Sequence, residues 1–297
     1  MKQGRREMLL GLAGAACSRR GGWRGMKLAV CNNTFHGAGF AEACRLAART
    51  GYKGLEIGPA TLGNDPAALT AEARAELRRA MADQGLEFVG LHNLLAAPPG
   101  LHITTPDAGV RERSWTYFRR LIDLCADLGG GGMVLGSSRQ RDAIEGVTRD
   151  EAVRRIRDGL AALAPHAAER GVTLLPETLA PHLSNVLTTM AETVAMVDSI
   201  GHPAVQTLFD THNTAGESEP AGVLIRRYTT RIRHVHVNEM DGRRPGEGDY
   251  DFAQVLQTLR EVEYPGWVSV EVFHFEPSGE VVARGAAEYL RRIEAGL

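Results

Sequence analysis

Lysine is nearly missing from this sequence. Lys and Arg together number 34 among 297 residues, and only Lys2, Lys27 and Lys53 are lysine, so arginine supplies almost all of the positive charge. A lysine that forms a Schiff base with a carbonyl substrate is expected directly after a strand of an α/β enzyme. None of the three follows a predicted strand. The sequence therefore argues against a lysine-dependent aldolase.

Cysteine is also scarce and is not arranged for metal binding. The four cysteines are Cys17, Cys31, Cys44 and Cys125, and no two of them have CxxC spacing. Spaced pairs of that kind are what zinc sites and redox motifs require. We therefore predict buried, reduced thiols.

Strong net charge and long apolar runs are absent too. The formal net charge is −2, so no basic footprint favours nucleic acid as the main partner. No apolar run approaches the ~20 residues that a membrane helix needs, so no membrane span is predicted. With 43% hydrophobic residues the chain can bury a sizeable core, and a chain of this length is expected to form a single domain.

Residues 1–25 are interpreted as an N-terminal extension or leader. Arg5 and Arg6 precede a short apolar stretch, which resembles a twin-arginine export signal. Arg19, Arg20 and Arg24 follow that stretch, where an export signal is normally not basic. A cytoplasmic location is therefore favoured, with export through a twin-arginine-like leader as the alternative.

From Met26 onward, apolar β-like runs alternate with amphipathic helical patterns. Eight such alternations predict an α/β protein with a (β/α)8 TIM barrel, a single catalytic domain over residues 26–297. The predicted strands are Lys27–Cys31, Gly54–Ile57, Leu86–Leu91, Met133–Leu135, Val172–Leu175, Val205–Phe209, His234–Val237 and Trp267–Val272.

Four of the last strands end in a group that can bind a hard divalent metal. These groups are Glu177, Asp210, His236 and Glu271, separated by 33, 26 and 35 residues. A lone Glu at a strand end is usually a salt-bridge partner, but the recurrence favours a site at the C-terminal rim of the barrel. Three carboxylates and a neutral imidazole suit Mn²⁺, Mg²⁺ or Co²⁺ better than soft-ligand zinc chemistry.

Other polar residues are predicted at the same rim. His234 and His236 lie two apart on a strand and so point to one face, which favours one ligand and one supporting histidine. The candidates for substrate contact are His92, Glu56, His212 and the adjacent pair Arg243 and Arg244. The plain alternatives, a loop histidine for His212 and a solvated arginine for Arg243, stay open.

A resemblance follows from five motifs. The segments LPET, FDTH, HVHVNE, RRPGEGDYDF and SVE are similar to those of the xylose isomerase-like TIM-barrel sugar isomerase/epimerase superfamily. The likeness extends from Met26 to the C-terminus and is strongest to ketose 3-epimerases of the tagatose/psicose type. It implies that the four strand-end residues hold one ion, with Mn²⁺ preferred. It also implies that Glu177 and Glu271 are the acid/base pair and that Arg243 contacts substrate.

The chain departs from these epimerases at two positions. They carry a substrate histidine three residues after the strand 6 Asp, where this chain has Asn213 and offers His212 instead. They carry a Glu six residues after the first ligand, where this chain has Leu183. The orientation of the substrate and the identity of the sugar are therefore not fixed by the resemblance.

The expected function is that of a divalent-metal-dependent sugar isomerase or epimerase. Proton abstraction next to a carbonyl would pass through an enediolate, and two carboxylates on opposite faces would give C3 epimerisation of a ketose. One active carboxylate would give aldose-ketose isomerisation. The alternatives are a metal-dependent lyase or deglycosidase acting on 3-keto sugars, and a non-catalytic sugar-binding barrel. The partner is a small sugar or sugar phosphate, not nucleic acid, and a homo-oligomer is left open.

Overall fold

Strands and helices alternate along the chain around one sheet. The structure is a computed structural model that describes residues 25–297, so the predicted leader, residues 1–25, lies outside the described residues except for Gly25. The eight strands are β1 (Lys27–Cys31), β2 (Gly54–Ile57), β3 (Glu87–Leu91), β4 (Gly131–Leu135), β5 (Val172–Pro176), β6 (Thr207–Asp210), β7 (Ile232–Val237) and β8 (Trp267–Val270).

The strands pair in parallel in the order β5-β4-β3-β2-β1-β8-β7-β6. Between β5 and β6 the described chain has a single parallel bridge, which joins Leu174 to Val205. The Thr207 hydroxyl adds a 2.8 Å hydrogen bond to the main-chain oxygen of Pro176. The sheet is therefore a nearly closed barrel, and the predicted (β/α)8 TIM barrel is confirmed.

Helices connect the strands and pack around the barrel. Within residues 25–297 they are α1 (Phe40–Arg49), α2 (Ala71–Ala82), α3 (Ala108–Leu128), α4 (Ser138–Arg141), α5 (Arg149–Glu169), α6 (Met190–Ile200), α7 (Ala221–Tyr228), α8 (Phe252–Glu261) and α9 (Gly279–Gly296). None of them is long and apolar enough to span a membrane.

The predicted bounds of β1 and β2 agree with the observed ones, and those of the other six strands differ by one or two residues at one or both ends. β6 begins at Thr207 and not at Val205, because Val205 makes only the isolated bridge to β5. β8 ends at Val270 and not at Val272, so Glu271 lies just past the strand. The short helix α4 was not expected.

The main core lies between the strands and the surrounding helices. A separate small cluster of buried Val134, Leu175 and Leu208 comes from β4, β5 and β6. Side chains that alternate between the two faces of a strand fill the interior and the exterior of a barrel in this way. The polar residues at the C-terminal rim rest above that interior packing.

Candidate metal centre

The four predicted ligands come together at the C-terminal rim. Glu177 follows β5, Asp210 ends β6, His236 lies near the end of β7 and Glu271 follows β8. One donor atom from each lies within 4.8 Å of a donor atom of every other. Parallel strands of a barrel bring their carboxyl ends to one rim, which explains the convergence of residues far apart in the chain.

The imidazole of His236 is oriented as a metal ligand would be. Its Nε2 faces the Glu56 carboxylate at 3.1 and 3.2 Å and donates a proton to it. Its Nδ1 lies 2.9 Å from Glu271 Oε2 and 3.9 Å from Glu177 Oε1. Nδ1 is nevertheless buried without a hydrogen-bond partner among the described residues, because the geometry toward Glu271 is not that of a hydrogen bond. Without an ion, a proton on Nδ1 would face these carboxylates; with a divalent cation in its place, Nε2 would keep its proton and the Nδ1 lone pair would bind the cation.

The pKa shifts of the candidate ligands also favour a bound cation. Burial, together with the charges of Glu271 and Asp210, holds the pKa of Glu177 well above its ordinary value. Burial likewise raises the pKa of Asp210, with Glu271 adding to the effect. For His236, burial opposes the charged imidazolium, but Glu56 and Glu271 outweigh it and hold the pKa well above its ordinary value. Closely packed carboxylates are unfavourable unless a positive charge neutralises them. The residues present therefore fit a hard divalent cation.

Neighbouring groups hold Glu177 and Asp210 in place. The Asn213 amide donates to Asp210 Oδ2 at 2.8 Å and to Glu177 Oε1 at 3.2 Å. Below them, the buried Arg141 donates to the main-chain oxygens of Leu135 and Glu177 at 2.8 and 2.7 Å, and burial lowers its pKa to about 10. A Cβ on Gly136 would come within 1.9 Å of Glu177 Oε2. A side chain at position 136 would thus displace the Glu177 carboxylate.

Two of the predicted substrate contacts lie at the central cavity. His92 is buried, and its Nδ1 donates to Glu271 Oε1 at 2.9 Å. His212 is buried as well, and its Nδ1 donates to the main-chain oxygen of Glu239 at 3.1 Å. Both histidines line the cavity in which Glu177, Asp210 and Glu271 are found.

Glu56 is not at that cavity, which corrects its predicted position. Its Oε2 lies 2.9 Å from His234 Nε2. Its Oε1 and Oε2 lie 3.2 and 3.1 Å from His236 Nε2. In the sheet register Glu56 pairs with Gly90, two residues before His92. Its side chain therefore lies one layer deeper than the rim, where it orients His236. Of the two β7 histidines, only His236 belongs to the four-residue group, so the division into one ligand and one supporting histidine stays a prediction.

Arg243 is the second correction. Its side chain is 43% exposed and pairs with Asp241 at 2.7 Å. It borders a different cleft, of about 450 Å³, together with Glu239 and Tyr250, and it does not line the central cavity. Among residues 25–297 the arginine that lines the central cavity is Arg139, which lies in α4. A loop conformation of this kind cannot be derived from strand periodicity.

The central cavity has a volume of about 450 Å³. Small-molecule sites typically enclose about 300–1,000 Å³. Sequence reasoning missed several of its lining residues. They are Asn33, Ser137, Ser138, Arg139, Gln140 and Phe273. The signal available for four of them was the polar run from Ser137 to Gln140 directly after the fourth strand, at the same rim as the ligands.

Comparison with known proteins decides the family. The model of the xylose isomerase-like TIM barrel family matches residues 44–293. The chain belongs to this family. The predicted resemblance is thereby confirmed.

Two kinds of relatives accompany the family match. An L-ribulose 3-epimerase of Mesorhizobium japonicum is 30% identical over 215 residues, covering 71% of this chain and 70% of the relative. The solved structure of a D-psicose 3-epimerase in the presence of D-fructose has a TM-score of 0.80 at 21% identity, over 91% of this chain and 100% of that one. The apo form of a 3-keto-D-glucoside 4-epimerase from E. coli has a TM-score of 0.79 at 20% identity, over 90% and 100%.

The sequence of this xylose isomerase-like barrel departs from the ketose 3-epimerases at Asn213 and Leu183, and both residues lie at the candidate site. Asn213 donates its amide hydrogens to two candidate ligands, and its Oδ1 accepts from the main-chain nitrogen of Ala180 at 3.0 Å. Leu183 places an apolar side chain at the cavity wall. Neither residue presents a free polar group to a substrate in the way that a histidine or a glutamate would.

Proposed function

We propose that this chain is a divalent-metal-dependent sugar epimerase that transfers a proton next to a carbonyl through an enediolate. The reaction we favour is C3 epimerisation of a ketose. The named activity of the Mesorhizobium relative supports this class of chemistry. The observation that carries the proposal is the convergence of three carboxylates on the unpartnered Nδ1 of His236.

The ion would be held by Glu177, Asp210, His236 and Glu271. Three oxygen ligands and one imidazole favour Mn²⁺, with Mg²⁺ or Co²⁺ as alternatives. When bound, such an ion supplies Lewis acidity that polarises a sugar carbonyl.

The protein groups then divide the proton transfers. Glu177 follows β5 and Glu271 follows β8, with β6 and β7 between them, so a sugar bound in the cavity would meet them from different sides. One carboxylate accepts the C3 proton, and the other returns a proton to the opposite face, which inverts that carbon. His92 fixes Oε1 of Glu271, which leaves Oε2, 2.9 Å from His236 Nδ1, as the oxygen that would bind the ion.

The test is solvent deuterium uptake. Metal-loaded protein incubated with a panel of ketoses in D₂O should incorporate deuterium at C3 and form the C3 epimer, measured by NMR. Deuterium at C1 with formation of an aldose would indicate isomerisation instead. Metal-bound protein that exchanges no proton of any ketose would contradict the proposal.

A lyase that acts on 3-keto glycosides is the second candidate. The amide of Asn213 and the apolar Leu183 stand where ketose epimerases have polar substrate contacts, which favours a substrate other than a simple ketose. Release of the aglycone from a 3-keto glycoside, without epimerisation of ketoses, would support the lyase. Sugar binding with neither reaction would support a non-catalytic barrel.

A further inference from the structure

A second cavity adjoins the central one on the β1 and β2 side. Its volume is about 390 Å³, and Asn33, His92 and Asn93 line both cavities. The remaining wall includes Asn32, His36, Gly58 and Thr61. We call this second space the side cavity. The roles assigned so far to the ligands and to His212 do not involve it.

His92 lies between the two cavities, and its two ring nitrogens have different hydrogen-bond environments. Because a carboxylate only accepts hydrogen bonds, Nδ1 carries the proton that is donated to Glu271. Nε2 of the neutral ring is then an acceptor. It is buried and has no partner among the described residues. A Cβ on Gly58 would lie 3.2 Å from this atom, so Gly58 leaves room in front of it on the side-cavity wall.

Asn33 presents a second unused polar group along the shared wall. Its Oδ1 is buried and has no hydrogen-bond partner within residues 25–297. The adjacent Asn32 differs, because its Oδ1 accepts from Gly58 N at 2.9 Å and its Nδ2 donates to Thr61 Oγ1 at 2.7 Å. Buried polar groups are normally paired. The unpaired Asn33 and His92 therefore point to hydrogen bonds that a ligand would complete.

The chemistry of the wall restricts that ligand. No arginine or lysine of the described part of the chain lines the side cavity, so a phosphate would find no charged partner among these residues. The ring of His36 stacks on that of Phe275 with centroids 6.0 Å apart and an interplanar angle of 17°. Acceptor atoms next to an aromatic surface suit a group that has both hydroxyls and an apolar face.

We propose that the side cavity is a second glycosyl subsite, so that the substrate carries an uncharged sugar ring in addition to the one that reacts. The inference rests on the proposed function, since it places the reacting sugar in the central cavity. It assigns the substrate class as a glycoside or disaccharide in place of a free monosaccharide or a sugar phosphate.

The first test compares substrates on the metal-loaded wild-type protein. The probes are D-fructose, the ketose disaccharides isomaltulose and lactulose, and D-fructose 6-phosphate. At least one disaccharide should bind about tenfold more tightly than D-fructose by titration calorimetry, which corresponds to about 1.4 kcal/mol. Equal or weaker binding of both disaccharides, or preference for the phosphate, would overturn the subsite.

Binding and deuterium exchange separate the two proposals. Disaccharide preference in binding without exchange of any probe would leave the subsite standing and remove the epimerase. Exchange of a D-fructose proton with solvent, without any preference for a disaccharide, would support the epimerase and remove the subsite.

The second test fills the space in front of His92. Gly58 has φ −78° and ψ 110°, which alanine adopts without strain, so Gly58→Ala acts through its added methyl group. We expect the ratio of disaccharide to monosaccharide affinity to fall about tenfold. Asn33→Ala should lower the same ratio by removing the second partner. An unchanged ratio in both variants, with metal content retained, would contradict the proposal.

Gly39→Ala is the matched control for the methyl group. Gly39 also has ordinary dihedral angles, φ −66° and ψ 158°, and a Cβ there would meet no atom within 4 Å. Its affinity ratio should equal that of the wild type. A fall as large as that of Gly58→Ala would show that the effect is not specific to the side cavity.

Discussion

The two halves of the barrel rim carry different chemistry. The half formed by β5 to β8 ends in Glu177, Asp210, His236 and Glu271, which are closely packed and mostly charged. The half formed by β1 to β4 presents mostly neutral groups to the cavities, with Asn33, His92 and Ser137 among them, and one charged residue, Arg139. Charge concentrated on one side suits an ion, and neutral groups on the other suit sugar hydroxyls.

Each half also supports the other. Glu56 on β2 accepts from His236 on β7, and His92 after β3 donates to Glu271 after β8. Ligands held by such outer partners keep their tautomer and orientation. We therefore expect the ion-binding half to depend on residues of the opposite half, and the following variants test that dependence.

The largest effect is expected from the acid/base pair. Glu177→Gln and Glu271→Gln should each lower the epimerisation rate by ~10² to 10⁴, because a full turnover needs both carboxylates. Either variant that keeps its metal should still exchange substrate protons from one face. Epimer formation and C3 deuterium uptake, both followed by NMR, measure the two effects separately.

Glu76→Gln is the control for this pair. Glu76 is exposed on α2, with a side-chain accessibility of 72%. Wild-type epimerisation in either active-site variant would refute the role of that carboxylate.

The next effect concerns Glu56, which bridges the two halves. In Glu56→Gln one side-chain oxygen becomes an NH₂ group, which opposes a donating Nε2 of His234 or His236. The competition disfavours the His236 tautomer that leaves Nδ1 free, so metal affinity should fall about 10- to 100-fold. Metal titration measures it, and the exposed Glu87→Gln on β3 should match the wild type. Unchanged affinity in Glu56→Gln would mean that the two halves are independent.

His212 tests whether the charged half also contacts substrate. If it bonds the sugar without binding the ion, His212→Ala should raise KM or lower kcat by about tenfold and leave the metal content intact. His202→Ala, in the loop between α6 and β6 on the opposite face of the barrel, should have no such effect. Loss of metal from His212→Ala would instead make His212 a ligand.

The smallest effect distinguishes two arginines. Arg139 lines the central cavity, whereas Arg243 pairs with Asp241 outside it. Arg139→Ala should raise KM several-fold, because an arginine can bond several sugar hydroxyls, and Arg243→Ala should leave KM within about twofold of wild type, as surface substitutions usually do. A larger increase of KM in Arg243→Ala would show that Arg243 contacts the substrate.

Much of the fold was predictable because strand and helix periodicities are local. The convergence of Glu177, Asp210, His236 and Glu271 was predictable too, since parallel strands share a rim. Glu56 was misplaced because the sequence does not reveal the register that sets it two residues deeper than His92. Arg243 was misplaced because the ion pair with Asp241 and the loop conformation decide its direction. The bonds of Asn213 to two ligands arise from tertiary contacts that no spacing encodes.

The central claim is that the charged half holds one divalent ion, and metal content tests it most directly. Purified protein saturated with Mn²⁺ and dialysed should retain about one ion per chain, measured by inductively coupled plasma mass spectrometry. Asp210→Ala should retain almost none, and Asp241→Ala, which removes an exposed carboxylate outside the cavity, should retain as much as the wild type. Full occupancy in Asp210→Ala would contradict the assigned ligand set.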